Sequence, residues 1–192
     1  MNKTNYIVKV ALLSVIAFVL TIFEFPIPFF PSFLKMGFGD LPALIGGFSL
    51  GPMAGVWIEL LKNVLNFILK NDGTGGVGNL SNFLVGISFV LPASIIYIRN
   101  KNRKNAIIGM VIGIICMVVV GSFTNYFIII PLYQKILPLD AIIAMAAKAN
   151  PSIGDMKTYI TYAVIPFNFI KALINSIITL IIYKKISPIL HG

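Results

Sequence analysis

The chain carries one cysteine, one histidine and one tryptophan among its 192 residues, and only six acidic side chains. A lone Cys116 can close no internal disulfide, and with His191 at the far end of the sequence it can assemble no cysteine–histidine metal cluster. Charge is scarce as well: 11% of the residues are Asp, Glu, Lys or Arg, against about 25% in ordinary soluble domains. Catalytic motifs are missing too. There is no G-x-x-x-x-G-K-[ST] phosphate loop, no H-E-x-x-H and no Ser/His arrangement, and GTGGVG at Gly73–Gly78 follows no strand. These absences argue against an enzyme, against a catalytic cofactor or bound metal, and against a self-contained ATP-driven pump.

What the chain has in abundance is apolar surface. Hydrophobic residues make up 58% of it and the mean hydropathy is +0.94, too little polar material to wrap a water-soluble core, so lipid is its solvent. Residues 1–192 are read as a single all-α integral membrane domain. A hydrocarbon layer of about 30 Å takes about 20 helical residues, which leaves room for five or six spans. Periodicity and turn residues predict helices over Tyr6–Phe25, Leu41–Leu50, Pro52–Leu69, Asn79–Ile98, Ala106–Ile130 and Thr158–Ile182. The first of these is long and lacks a small-residue cleavage site, so it is read as a retained span.

Gly46, Gly47, Gly51 and Pro52 interrupt the stretch Leu41–Leu69, which is one kinked helix or two short ones. Charge decides between them. Arg99, Lys101, Arg103 and Lys104 form one basic cluster, Lys184 and Lys185 another, and both should face the cytoplasm. Two helices give six spans with Lys3 on that same side; one helix gives five and strands Lys3 and Lys9 opposite. The expectation is therefore six transmembrane helices in a compact bundle with both termini cytoplasmic. The formal charge of +9 is then a topology signal, and no nucleic-acid partner is called for. The outer side receives the long irregular segments Pro26–Gly39, Lys70–Gly78 and Pro131–Lys157, with Ala141–Ala149 a candidate short helix in the last. Irregular segments of this kind usually carry binding function.

Ionised side chains inside spans cost about 2.5–3.5 kcal/mol each and need a reason. Glu59, Lys62, Asn63 and Asn66 recur at helical spacing and share one inward face. They are either a self-satisfied Glu59–Lys62 pair or a polar wall for a ligand or partner. Asn168, Lys171 and Asn175 share another face, where Lys171 meets either Glu59 or a ligand group. Asn125 sits about a turn and a half before Pro131 and should face the same outer hollow. Phe29, Phe30, Phe33, Phe38, Tyr126, Phe127, Tyr133, Tyr159, Tyr162 and Phe167 fall near the outer boundary, where they are interfacial anchors or walls for a flat ring. Asn amides, which both donate and accept, suit the edge of such a ring.

The runs FGDLPALIGGFSLGPMAGVWIELLKN, GVGNLSNFLVG, SFTNYFIIIPLY and PFNFIKALINSIITLIIYKK resemble those of the riboflavin-specific S components of energy-coupling factor transporters. The resemblance covers Gly37 to Lys185. It implies a multi-pass protein of the bacterial cell membrane that captures riboflavin, its transported ligand, at the outer face. Delivery inward would need a transmembrane T component and two cytoplasmic ATP-binding subunits. It implies that Asn125, Asn168 and Lys171 hydrogen-bond the flavin, that Phe38, Gly39, Asp40 and Ala43 surround its ring or ribityl chain, and that Asn79 and Asn82 are further candidates. Where a small residue would repeat on the first helix, Val15 stands instead, so contact with the T component would fall to Ala11, Ser14 and Ala17. The rival readings are an S component for another flat vitamin or nucleobase-like ligand, and a solitary ion-coupled carrier using Glu59 and Lys62.

Overall fold

Each apolar run becomes a helix, and glycine and proline decide where the helices stop. The structure, a computed structural model, describes residues 2–70 and 74–191, with side chains described through residue 182. Residues 71–73 of the glycine-rich loop and the side chains of Lys184, Lys185 and His191 lie outside the described residues.

Helix α1 (Lys3–Ile22) ends three residues before the predicted Phe25 because Phe25–Pro26 (β1) pairs antiparallel with Lys35–Met36 (β2), folding the following loop back on itself. The stretch Leu41–Leu69 is two helices, α2 (Asp40–Leu50) and α3 (Pro52–Leu69). Gly51 separates them at φ 113°, a backbone conformation open to glycine, and Pro52 starts α3 where its missing N–H costs nothing. At 11 residues α2 is only about 16 Å long. Asp40 through Ser49 are all buried, enclosed by α1, α3, α4 and the last helix.

Helix α4 (Val77–Arg99) and α5 (Arg103–Thr124) form a long hairpin, with Asn102 capping α5 by accepting the Asn105 N–H at 2.8 Å. Their close approach depends on Gly109 and Gly113: a Cβ at either would sit 2.6 Å from the carbonyl oxygen of Ala93 or Phe89. The predicted stop of this helix at Ile130 is not a stop. The chain runs through a π turn (Asn125–Ile129) into α6 (Ile130–Tyr133). Ile130 N–H donates to Asn125 O five residues back, and the widened turn lets Pro131, which has no N–H to give, follow without breaking the rod.

The same device recurs after α7 (Leu139–Ala147), the short helix foreseen within the third loop. There α8 (Met156–Tyr159) passes through a π turn (Ile160–Val164) into α9 (Ile165–His191). Ile165 N–H reaches Ile160 O and Pro166 follows without a break, as the helix predicted over Thr158–Ile182 requires. Among the described residues, five stretches are long and apolar enough to cross a membrane: Lys3–Ile22, Pro52–Leu69, Val77–Arg99, Arg103–Tyr133 and Met156–Ile182. Helix α2 is apolar but shorter.

Among the described residues, two hydrophobic clusters result. The larger, around Leu13, Leu44, Ile58, Phe89 and Met117, fills the bundle, with Phe48 and Tyr97 stacked at 4.4 Å. The smaller, around Ile130, Ile142, Ile153, Tyr159 and Val164, seats α7 and α8 at the end where α1, α3 and α5 finish and α2, α4 and α9 begin.

Candidate functional site

At that loop-rich end lies a cavity of about 440 Å³, within the range of small-molecule sites. The β1–β2 loop contributes Ser32, Phe33, Leu34 and Lys35. Asn66 and Lys70 come from the end of α3, and Thr74, Gly78, Ser81 and Asn82 from the start of α4. The opposite side is built by Asn125, Ile129, Ile130, Tyr133, Ile142, Met145, Tyr159 and Phe167. Two of these, Asn125 and Ile129, belong to the first π turn, which packs on the second. Ring contacts lock the loop over the hollow: Phe30 meets Phe167 edge-on at 5.7 Å and Phe33 lies 6.2 Å from Tyr159. At the rim Lys70 Nζ stands 3.6 Å from Glu24 and donates to Thr21 O, joining the ends of α1 and α3.

Alongside this cavity four ionised groups are buried together. Lys62 Nζ lies 2.7 Å from Asp40 Oδ1 and 2.6 Å from Glu59 Oε2, while Lys171 Nζ lies 3.3 Å from Asp40 Oδ2. Glu59 is 0% exposed and Lys171 only 6%. Two carboxylates and two ammonium groups sum to zero, so the chain of contacts ties α2, α3 and α9 together without leaving an uncompensated buried charge. The inward face predicted on α3 is present in full, with Glu59, Lys62, Asn63 and Asn66 all buried. Asn63 Nδ2 donates to Glu59 O, and Asn66 Nδ2 to Asn79 Oδ1 at 2.7 Å. The Glu59–Lys62 pair foreseen for α3 forms. Lys171, for which the sequence offered Glu59 or a ligand, takes Asp40 instead, because Lys62 already occupies Glu59.

The expected ligand residues divide. Asn125 and Asn82 line the cavity. Asn125 donates to Gly121 O at 2.8 Å, and Asn168 packs on that same glycine, so the two amides are neighbours although Asn168 lies behind the cavity wall. Asn79 stands behind Asn66. Asp40 and Lys171 belong to the charge cluster. The remaining loop residues pack elsewhere: Phe38 is half-buried with its ring 6.5 Å from Phe25, Gly39 is pressed between Thr21 and Lys62, and Ala43 supports Gly55 of α3. The loop residues at the cavity are thus 32–35 rather than 37–43, since the β1–β2 pairing carries the former inward and leaves the latter to start α2. Ser32, Leu34, Lys35 and Met145 carried no spacing signal, whereas Asn66 did, through its place on the polar face of α3. On α1, Ser14 and Ala17 point into the bundle and Ala11 points out, so these three share no outer face. Cys116 is half-buried on α5.

A lipid-compatible helical bundle with an amide- and aromatic-lined hollow at its loop-rich end defines a multi-pass membrane protein with a small-molecule cavity. Residues 5–183 match the family described as ECF transporter, substrate-specific component, and the chain belongs to that family. Over 190 residues it is 38% identical to the riboflavin transporter RibU of Staphylococcus aureus (strain TCH60), covering 99% of this chain and 94% of that one. It is 33% identical over 189 residues to the riboflavin transporter FmnP of Bacillus subtilis (strain 168), covering 97% and 94%. A solved S component of a bacterial ECF transporter superposes with a TM-score of 0.78 at 35% identity, over 100% of both chains.

Proposed function

We propose that this chain is the riboflavin-capturing subunit of an energy-coupling factor uptake system in a bacterial plasma membrane. In this reading it has six transmembrane helices, α2 being the short one, and both termini face the cytoplasm, so the cavity opens outward. The ring of riboflavin lies against Tyr159, Phe167 and the aliphatic side chains of α5–α7, with the Asn125 and Asn168 amides at its edge. Binding also draws on Lys171 once the ligand competes with Asp40 for its ammonium group. A T component and two ATP-binding subunits supply the work of transport. With Ser14 and Ala17 turned inward, the α1 face open to the T component is the one bearing Ala11.

The observation that carries this reading is the cavity of about 440 Å³ with one aromatic and aliphatic side and amides at hand, in a chain whose relatives are named riboflavin transporters. Purified protein titrated with micromolar riboflavin should quench the flavin's fluorescence to a saturating one-to-one end point. A titration that stays linear through that range would end the assignment, and a panel of other flat vitamins and bases would then identify the cargo.

A further inference from the structure

The end of the bundle opposite the cavity carries charge of one sign. The α4–α5 turn bears Arg99, Lys101, Arg103 and Lys104, all four exposed, and the sequence holds no Asp or Glu from position 73 to 139. Among the described residues none of the four is in an ion pair. Orienting a hairpin in a membrane asks only for an excess of cations on one side, but three of these four are also placed in register with apolar surface. Arg99 stands one turn beyond Ile95 on α4, and Arg103 and Lys104 stand one turn before Ile107 and Ile108 on α5. Those three isoleucines are 40%, 41% and 40% exposed, and Val111 and Ile115 continue the lipid-facing stripe along α5. Arg103 and Lys104 are also ill-placed for their own helix. They occupy the first turn of α5, which has no acidic residue, so the positive end of the helix dipole repels them. An anion held between the cations offsets both repulsions.

We propose that the α4–α5 turn is a binding site for an anionic phospholipid, its phosphate held by Arg99, Arg103 and Lys104 and its acyl chains lying along Ile95, Ile107 and Ile108. The guanidinium groups match phosphate oxygens two at a time, and the long side chains reach headgroup level while their stems stay on apolar surface. The stripe beneath the cations selects a lipid. Free phosphate would leave the isoleucines unused, and an acidic protein surface would have to enter the hydrocarbon layer to meet them. A headgroup of net negative charge is preferred over a zwitterionic one because four uncompensated cations attract its phosphate and repel a choline ammonium. The site holds for either orientation of the bundle and is independent of the riboflavin reading.

The test moves the chain's single tryptophan to the stripe, by Trp57→Phe with Ile108→Trp, in the full chain reconstituted into vesicles. Quenching by brominated phosphatidylglycerol against brominated phosphatidylcholine then gives the relative affinity at that face. Phosphatidylglycerol should be preferred about fivefold, the pull of one cation near an anionic headgroup. Adding Arg103→Gln with Lys104→Gln should bring the preference below about twofold. Arg99→Gln with Lys101→Gln is the second pair if the first does not reconstitute. Lys148→Gln with Lys157→Gln lowers the net charge equally at the cavity end and should leave the preference unchanged. Sodium phosphate should weaken it no more than sodium chloride of equal ionic strength. A preference that survives loss of the turn's cations, or falls as far when Lys148 and Lys157 are replaced, would overturn the site. Selective competition by phosphate would make the ligand a free anion and overturn the lipid. A preference below about twofold before any cation is removed would overturn it too, and leave the turn to an acidic protein surface.

Discussion

Exchange of Lys62 for methionine isolates the charge cluster. Lys62 is the central member, within 2.7 Å of Asp40 and 2.6 Å of Glu59, and Lys171 reaches only Asp40, at 3.3 Å. In Lys62→Met the cluster changes from zero to a net single negative charge, and Glu59, fully buried beside Gly86, loses its cation. Breaking a buried pair from one side costs about 3–5 kcal/mol, because the desolvation of the orphaned ion is no longer offset. Removing both members behaves differently. Glu59→Gln with Lys62→Met leaves Asp40 and Lys171, again summing to zero, so the double variant should be about 2 kcal/mol more stable than Lys62→Met alone, a non-additivity typical of contacting residues. Unfolding by denaturant in detergent micelles, followed through Trp57, the chain's only tryptophan, measures both differences. A Lys62→Met protein within about 1 kcal/mol of wild type, or a double variant worse than the single, would refute the reasoning and show that water or lipid headgroups reach these charges.

Two further outcomes follow from single positions. A Cβ at Gly121 would stand 2.8 Å from Asn168 Nδ2, so Gly121→Ala should push that amide off its seat and weaken riboflavin about tenfold; titration with unchanged affinity would show that Asn168 takes no part in binding. Asp155 caps α8, accepting the Thr158 N–H at 2.7 Å and paired with the Thr158 hydroxyl. Those bonds, the backbone one foremost, hold its carboxyl below the usual carboxylate range. The cap's contribution is therefore complete above the ordinary carboxylate pKa and is lost as pH falls through the lowered folded value. Amide exchange over residues 158–160 should accelerate, relative to the intrinsic rate, below that point in wild type but not in Asp155→Asn, which keeps an acceptor without a titrating group.

How much of this was legible in advance depends on whether a property is local. Membrane residence follows from composition, because no arrangement of a chain this apolar could hide its surface from water. The inward face of α3 follows from spacing, since the 3.6-residue period acts within a few residues, and the break between α2 and α3 follows from glycine and proline once the basic clusters at span ends choose two helices over one. The continuation past Pro131 was hidden: proline signals an interruption, and only the packing of the two π turns against one another makes the wider turn the better solution. The end of α1 escapes the sequence for a similar reason, because the pairing of Phe25 with Met36 and Pro26 with Lys35 is a contact between residues eleven and nine apart along an irregular loop.

The site shows the same division. Cost in lipid singled out Glu59, Lys62, Asn125, Asn168 and Lys171 from the sequence by itself, since a buried polar group needs a partner wherever it sits. Which partner it takes is a matter of distance in space. Lys171 and Asp40 are 131 positions apart, and only the assembled bundle sets them 3.3 Å from each other. The same assembly turns residues 32–35 toward the cavity and Ala43 away, because loop direction is decided by strand pairing and helix packing rather than by residue type.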